Sequence, residues 1–430
     1  MAEIHPFRGV HYNQQAVKDL SAVICPPYDI ITPQMEQELH DKSPYNFIRL
    51  ELPRGDDKYA RSAAVMEQWF RQGVLVVDEV PAIYLHDHYF TCQGREYRRR
   101  GIIVCVRLEE WDRGVIRPHE GTLTGPKDDR LNLLWALQAN SSPILALFED
   151  RERQISSLLA AKGQGQPIIS LSSTTEGSHN IWAITEPEVI NQIGDNLARQ
   201  PLYIADGHHR YESALTYRRE RQACSSSVSA SAAFNFVMMT LVDFSDPGLM
   251  ILPPHRLIRG VPRAALDGLL AKLKSFFEVE ELPLNMPGIW QQVDDLLTGE
   301  SNQLCLVVLG LAAEHLHILR LRDFAAASQM MPYFHSELYS KLAVCIADHV
   351  ILEKLLGVSN YREEAILAYS YDRQDTVDKV LGREYQLAFL LGPVKPELVK
   401  AIADAGDRMP RKSTYFYPKT PAGLVSHRLV

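Results

Sequence analysis

The stretch Pro201-Leu-Tyr-Ile-Ala-Asp-Gly-His-His-Arg-Tyr-Glu-Ser-Ala-Leu215 decides the fold of the central part of the chain. Its apolar residues up to Ala205 predict a short buried strand, Asp206-Gly207 predicts a tight turn, and the residues from Tyr211 onward predict a helix. A strand-to-helix turn presents the free N–H groups of the first helical turn, which favour a bound anion. The pattern therefore predicts an anion-binding turn.

The side chains at this turn strengthen the prediction. His208, His209 and Arg210 add hydrogen-bond donors and positive charge, while Gly207 has no Cβ to block the approach of a ligand to the backbone. Asp206 brings a carboxylate, which could hold a divalent metal ion or take a proton. The alternative is an ordinary turn in which Asp206 only caps the helix.

These residues also carry a resemblance to known proteins. Asp206-Gly-His-His-Arg-Tyr211 resembles the phosphate-binding signature of the ParB/sulfiredoxin superfamily, most closely that of its free-serine kinases. The chain as a whole resembles the bacterial and archaeal family known as DUF1015, from Pro26-Pro-Tyr-Asp-Ile30 to Met409-Pro-Arg-Lys-Ser-Thr-Tyr-Phe-Tyr-Pro-Lys419. The superfamily resemblance implies phosphate chemistry with a nucleotide, ADP or ATP, and Mg²⁺. A sulfiredoxin-like redox role would require a cysteine where this turn has histidine.

Composition limits the classes of function. The net charge of −8 argues against general nucleic-acid binding, which needs a basic surface. No run of about 18 apolar residues is present, so we expect no membrane contact, and the N-terminus lacks a signal-peptide pattern. The six cysteines lie far apart without a Cys-x-x-Cys pair, which predicts reduced thiols in a cytoplasmic protein.

The length of 430 residues predicts two or three domains. We predict an α/β (α+β) protein with a ParB/serine-kinase-like core at 108–258, an N-terminal α/β region at 1–107 and a C-terminal α/β region at 259–430. Alternation over Asn46–Glu51 predicts a strand, and Leu338–Leu356 reads as one amphipathic helix. His86 and His88 share a strand face, but no acidic or cysteine partner at a set spacing favours a metal pair.

Glu120 is the second candidate catalytic residue. It lies in the loop Ile116-Arg-Pro-His-Glu-Gly-Thr122, where a carboxylate beside the imidazole of His119 can act as a general base to a hydroxyl. In the serine kinases a glutamate in a comparable His-Glu setting is the catalytic one, so the resemblance places this role on Glu120.

Three residues that follow Glu120, within this loop and the helix start after it, add a hydroxyl and two cations that could lie near a phosphate: Thr122, Lys127 and Arg130. The alternative interpretation is that these residues form the solvated start of a helix with acidic capping and bind no phosphate. Weaker candidates are Asp29, His255 and Arg256, each in a Pro-flanked polar pair, since such pairs mostly stabilise turns. The closing segment 412–423, which we call the tail, is rich in hydroxyls, aromatics and lysines and is predicted to return to the site with Lys412 and Lys419.

Together these features predict a nucleotide-dependent phosphotransferase acting on a small hydroxylated metabolite, with free serine or O-phosphoserine suggested by the resemblance alone. Glu120 would activate the hydroxyl, Asp206 would assist or bind Mg²⁺, and Gly207 to Arg210 would hold the phosphate. Glu120 and Asp206 should then face one cavity. The alternatives are a phosphoserine phosphatase-like hydrolase and a ParB-like regulatory module that binds nucleotide without turnover. The oligomeric state is not predicted.

Overall fold

The computed structural model describes residues 1–173, 177–224, 229–299, 303–358 and 366–430. The chain forms two compact units. Unit 1 comprises residues 1–118, 122–250 and 418–430, and unit 2 comprises residues 119–121 and 251–417. Both units combine helices with strands, so the protein belongs to the mixed α/β class that the sequence predicts.

Unit 1 is built on a mixed sheet, which has nine strands in the described part of the chain. Eight of them lie in the spatial order Ile116–Arg117, Leu202–Asp206, Ile144–Phe148, Phe236–Asp243, Arg95–Arg107, Ile83–Cys92, Gly177–Ile184 and Ile169–Ser173. The ninth, Ile4–His5, pairs with Arg95–Arg107. Two short ladders accompany the sheet, Val10–Tyr12 with Leu75–Val77 and Ala139–Asn140 with His427–Arg428.

Both faces of this sheet are covered, as the strand Arg95–Arg107 illustrates. Ile102 and Val104 belong to one buried apolar cluster, whereas Ile103 and Cys105 belong to another. Because side chains alternate between the faces of a strand, the near-continuous apolar sequence is explained by burial on both sides. The α-helices in the described part of unit 1 are Pro33–Lys42, Ile48–Glu51, Lys58–Arg71, Thr124–Leu137, Gln154–Lys162, Pro187–Leu197 and His208–Ala223.

Unit 2 contains an antiparallel sheet with its own apolar core. Its strands lie in the order Phe277–Pro283, His315–Leu321, Cys305–Leu309, Leu387–Leu390, His255–Ile258 and Leu367–Ser370. Its α-helices are Arg263–Asp267, Leu269–Phe276, Ile289–Thr298, Phe324–Ser328, Glu337–Ser340, Ala343–Cys345, Arg373–Leu381 and Pro396–Asp404, with a π-helix at Ile346–Leu355. Two further short strands of the chain are Met250–Leu252 and Tyr415–Tyr417.

Two local predictions are wrong. Asn46–Glu51 contains the helix Ile48–Glu51 rather than a strand, because the Asn46 side chain accepts a hydrogen bond from the Ile48 amide at 3.0 Å and so favours a helical turn. The predicted helix over Leu338–Leu356 is divided into two short helices and the π-helix. Within the described residues, no helix is both long enough and apolar enough to cross a membrane.

Candidate functional site

The strand-turn-helix pattern predicted around Asp206 is present in unit 1. The strand Leu202–Asp206 lies between a parallel and an antiparallel neighbour, and a register irregularity falls between Ile204 and Asp206. Gly207 has a φ of +93°, a left-handed conformation that suits glycine, and the helix begins at His208, three residues earlier than predicted. Gly207 is thus the single residue between the strand and the helix, so the first N–H groups of the helix lie at the turn.

Arg210 holds the turn together. Its Nη1 donates to the Pro143 carbonyl at 2.6 Å and to Ser142 Oγ at 3.0 Å, and its Nη2 donates to Asp206 Oδ2 at 2.9 Å. A Cβ placed on Gly207 would lie 3.0 Å from the guanidinium, so the side chain packs directly against the glycine. Arg210 therefore connects the turn to the start of the neighbouring strand.

Asp206 is paired with two cations. Its Oδ2 accepts from Arg210 and its Oδ1 accepts from the ammonium of Lys419, which the tail supplies. Burial on its own would raise the pKa of Asp206, but Lys419 and Arg210 outweigh it and hold the pKa well below the usual range. Asp206 is consequently ionised at neutral pH, and a carboxylate this acidic is a poor proton acceptor.

A second carboxylate, Asp29, lies on the other side of Lys419, with its Oδ2 3.4 Å from the ammonium. Next to it, the ring of Tyr28 lies 4.1 Å from the guanidinium carbon of Arg130. Burial, with a further contribution from Asp29, raises the pKa of Tyr28 to about 12. Charged and aromatic side chains thus surround the turn. Two of them, Tyr28 and Asp29, come from the Pro-Pro-Tyr-Asp motif near the N-terminus.

Arg130 is a structural cation. It is buried and donates to the backbone and side chain of Glu51 at 3.1 and 3.2 Å and to Asp129 Oδ2 at 2.5 and 3.0 Å. A small cavity of about 40 Å³ adjoins Arg130 and Arg210, which is enough for a water molecule.

The segment from Thr122 to Lys127 is also held against the helix His208–Ala223. Thr122 Oγ1 donates to Glu212 at 2.7 Å, and the Lys127 ammonium lies 3.1 Å from the same carboxylate. His209 Nε2 accepts from the Leu123 amide at 3.0 Å, which leaves that nitrogen without a proton. Three of the predicted phosphate-binding residues, Thr122, Lys127 and His209, thus meet at the first turns of the helix, and His208 is buried beside them.

Glu120 belongs to unit 2, where it contacts the tail. Its Oε1 accepts from the Ser413 amide at 3.1 Å, the Thr414 amide at 3.2 Å and the Thr414 hydroxyl at 3.1 Å. His119 is buried, with its Nε2 2.9 Å from the same hydroxyl and 3.9 Å from the Glu120 carboxylate. These hydrogen bonds, all of which are accepted by Oε1, fix the position of the Glu120 carboxylate.

The remaining candidates in unit 2 have structural surroundings. Arg256 is fully buried and makes two 2.9 Å contacts with Asp348. His255 Nδ1 accepts from the Leu391 amide at 3.2 Å, and burial together with Arg256 lowers its pKa to about 4. Both residues are accounted for by the core of unit 2. Lys412 has a φ of +57°, which is uncommon for a residue with a Cβ and fixes a sharp bend at the start of the tail.

The donor set does not fit Mg²⁺ as arranged. Both oxygens of Asp206 already accept from cationic side chains, and the ammonium of Lys419 occupies the position between Asp206 and Asp29 that a bridging cation would need. Across the described ranges, no group of three or more His, Cys, Asp or Glu side chains is placed to hold a metal ion.

Sequence reasoning did not find the partners that hold these candidates. They are Ser142 and Pro143 at Arg210, Glu212 at Thr122 and Lys127, and Ser413 and Thr414 at Glu120. These partners are between 67 and 294 positions away from the residues that they contact, and only the concentration of hydroxyls in the tail signalled any of them.

The fold and the site define a mixed α/β protein whose central strand-to-helix turn carries a half-buried cluster of charged side chains. A family model described as a protein of unknown function, DUF1015, matches residues 4–341. Since the match covers well over half of the chain, the protein belongs to this family. The family resemblance stated from the sequence is thus confirmed. No curated protein sequence matches the chain.

Three solved structures that match this chain share little sequence with it. A conserved hypothetical protein from Pyrococcus furiosus is 11% identical, with 76% of this chain and 95% of that chain covered and a TM-score of 0.36. A free serine kinase in complex with AMP is 12% identical, with 73% and 86% covered and a TM-score of 0.36. SbnI with a C-terminal truncation, from Staphylococcus aureus, is 10% identical, with 74% and 84% covered and a TM-score of 0.34. Matches at this level carry no argument about function.

Proposed function

We propose that this protein is a nucleotide-dependent phosphotransferase that acts on a small hydroxylated metabolite, with free serine or O-phosphoserine as the first candidate. One observation carries the proposal. Within unit 1, Asp206 at the strand-to-helix turn is paired with two cations, Lys419 and Arg210, at the start of the helix His208–Ala223. The choice of serine comes from the resemblance of Asp206–Tyr211 to the serine-kinase signature.

The turn at Gly207 is proposed to bind the phosphates of the nucleotide. It offers the N–H groups at the start of the helix, with the cations Lys419 and Arg210 next to them. Asp206 acts as the counter-ion that orders these two cations, since its low pKa makes it a weak base. A fixed set of cations that needs no rearrangement is what phosphoryl transfer requires of a protein.

Glu120 is proposed as the general base. In the transfer step the serine hydroxyl oxygen forms a bond to the terminal phosphorus, and the bond from that phosphorus to the nucleotide's bridging oxygen breaks. The hydroxyl proton passes to the Glu120 carboxylate, and the nucleotide leaves one phosphate shorter. The donors on Oε1 fix the orientation of the carboxylate, and the proton goes to its other oxygen. Any Mg²⁺ would enter with the nucleotide phosphates, because Asp206 is already occupied by cations.

Turnover of radiolabelled nucleotide with and without serine tests the proposal. A kinase transfers label from ADP or ATP to serine and releases little phosphate when serine is omitted. Phosphate release from O-phosphoserine without nucleotide would favour the hydrolase alternative. Binding of nucleotide without any turnover, over a panel of hydroxylated amino acids, would leave the regulatory module. Absence of nucleotide binding would reject both the kinase and the regulatory module, and would leave only the hydrolase.

A further inference from the structure

A buried row of cationic and imidazole side chains crosses three strands of the unit 1 sheet. Arg99 lies directly opposite His88 on the neighbouring strand, and His88 lies opposite His179 on the next. The His88 and His179 rings are stacked with their centroids 4.0 Å apart, and His86 Nε2 lies 2.9 Å from His179 Nδ1. All four side chains are nearly inaccessible to solvent, with Arg99 only 3% exposed.

Arg99, at one end of this row, contacts the tail residues on both sides of Lys419. Arg99 Nη2 donates to the Pro418 carbonyl at 2.8 Å and approaches Thr420 Oγ1 at 3.4 Å. The same nitrogen lies 3.3 Å from His88 Nδ1, which must then act as an acceptor and stay unprotonated. Arg99 therefore contacts the residues immediately before and after the lysine that pairs with Asp206.

The arrangement is not a metal site. A metal ion would have to share the row with the Arg99 guanidinium, and two cations in one buried space repel each other. Nor is it simple packing, because burying an arginine is costly unless its charge and donors are satisfied. Burial lowers the pKa of Arg99 to about 10, while Asp246 and Asp206 act in the opposite direction and favour its charged form.

We propose that Arg99 is a positioning residue for the anion-binding turn, and that it acts by fixing the tail backbone so that the Lys419 ammonium stays between Asp206 and Asp29. A lysine side chain has four rotatable carbons and is poorly ordered unless its base is fixed. Further along, the tail is anchored by paired hydrogen bonds between Ala422 and Cys25. Arg99 supplies the anchor at Lys419 itself, and the histidines hold the guanidinium in place. This role rests on the anion-binding function proposed for the turn.

Two measurements on Arg99→Gln test the proposal. The first is affinity for ADP by calorimetry, where we expect a loss of about three- to tenfold, at the low end of couplings between contacting residues. The second is the rate of Lys419 acetylation by acetic anhydride, read by mass spectrometry against the exposed Lys18, where we expect a several-fold increase. Arg98→Gln is the matched control, because Arg98 is exposed and its side chain points to the opposite face of the strand.

A double-mutant cycle separates positioning from a purely structural role. In the Lys419→Gln background, Arg99→Gln should cause no further loss of ADP affinity, since Arg99 acts through the lysine. Additive losses would overturn the proposal, as would an Arg99→Gln protein that melts at a lower temperature but keeps the ADP affinity and Lys419 reactivity of the parent. Arg99→Lys, which retains the charge and one donor, should recover part of both readouts.

The two proposals can fail separately. If the parent protein binds no ADP, the proposed function is rejected, but the acetylation rate of Lys419 still reports on Arg99. If ADP binds and Arg99→Gln leaves both readouts unchanged, the positioning role alone is rejected. Should Arg99→Gln fail to fold, Thr420→Val and Arg99→Lys give the same comparison with smaller changes.

Discussion

Lys419 forms an ion pair with Asp206 across 213 positions of sequence. Together with Arg210, this pair holds the pKa of Asp206 well below its usual range, and it connects the tail to the turn that the central motif predicts. Asp206 is therefore engaged with cations, whereas Glu120, the other candidate carboxylate, accepts hydrogen bonds from Ser413 and Thr414 within unit 2.

Gly207→Ala should damage the turn in two ways. The left-handed φ of +93° costs an L-residue about 1–2 kcal/mol, and the new Cβ would lie 3.0 Å from the Arg210 guanidinium, which must shift. We expect lower thermal stability and weaker ADP binding. Gly114→Ala is the matched control, because Gly114 has a φ of +62° but no atom near the new Cβ within 4 Å. Equal losses of ADP affinity in the two variants would argue against a special role of the turn.

Arg210→Ala should weaken ADP binding roughly ten- to hundredfold, the value of a charge-assisted hydrogen bond. It should also lower the melting temperature, since Arg210 donates to Ser142, Pro143 and Asp206. Calorimetry and thermal unfolding measure the two effects. Arg219→Ala, an exposed arginine of the same helix, should leave ADP affinity unchanged. Undiminished ADP binding by Arg210→Ala would remove this residue from the site.

Glu120→Gln should keep nucleotide affinity and lose about 10²- to 10⁴-fold in turnover, the usual contribution of a general base. The substitution is conservative in structure, because an amide oxygen can accept the same bonds from Ser413 and Thr414. Steady-state rates and ADP titrations check the expectation. Thr414→Val, which removes the hydroxyl between His119 and Glu120, should have a smaller effect on turnover. A fully active Glu120→Gln protein would exclude Glu120 as the base.

Two histidines, the buried His255 and the half-buried His427, predict loss of stability in mild acid. Burial lowers the pKa of His427, in unit 1, to about 4, and burial together with Arg256 does the same for His255, in unit 2. Their unfolded pKa is near 6.5, so the unfolded chain takes up protons below pH 6.5 while the folded chain does not until about pH 4. Each histidine should therefore remove about 2 kcal/mol between pH 7 and pH 5.

Denaturant titrations at the two pH values measure this loss. His255→Asn is the informative variant, because the asparagine oxygen can still accept from the Leu391 amide but does not titrate. This variant should reduce the acid-induced loss of unfolding free energy by the contribution of one histidine. An unchanged pH dependence in both His255→Asn and His427→Asn would contradict the assignment.

The sequence predicts the strand and turn at Asp206 well because the signals are local. An apolar run, an Asp-Gly pair and a helical pattern lie within 15 residues, and the observed strand and helix starts differ by only one to three positions. The prediction of a strand at Asn46–Glu51 was wrong because a side-chain hydrogen bond of Asn46 outweighed the alternation of apolar and polar residues. The prediction of one continuous helix over Leu338–Leu356 was wrong because a regular apolar pattern does not reveal a π-helical segment.

The partners of the site residues could not be predicted for a different reason. Lys419 was selected only because the tail composition is unusual, and its pairing with Asp206 depends on the folded chain. Arg99 gave no signal, since an arginine on a strand is usually exposed. The catalytic role of Glu120, the phosphate-binding role of the turn and the domain boundaries at 107/108 and 258/259 stay predictions.

The most direct test of the account is a crystal structure of the protein with ADP and serine bound. We predict that the nucleotide phosphates contact the backbone N–H groups that follow Gly207, with Lys419 beside them, and that a Glu120 oxygen lies within about 3 Å of the serine hydroxyl. A nucleotide bound away from the Asp206 turn, or a Glu120 carboxylate directed away from the bound serine, would contradict the proposed mechanism.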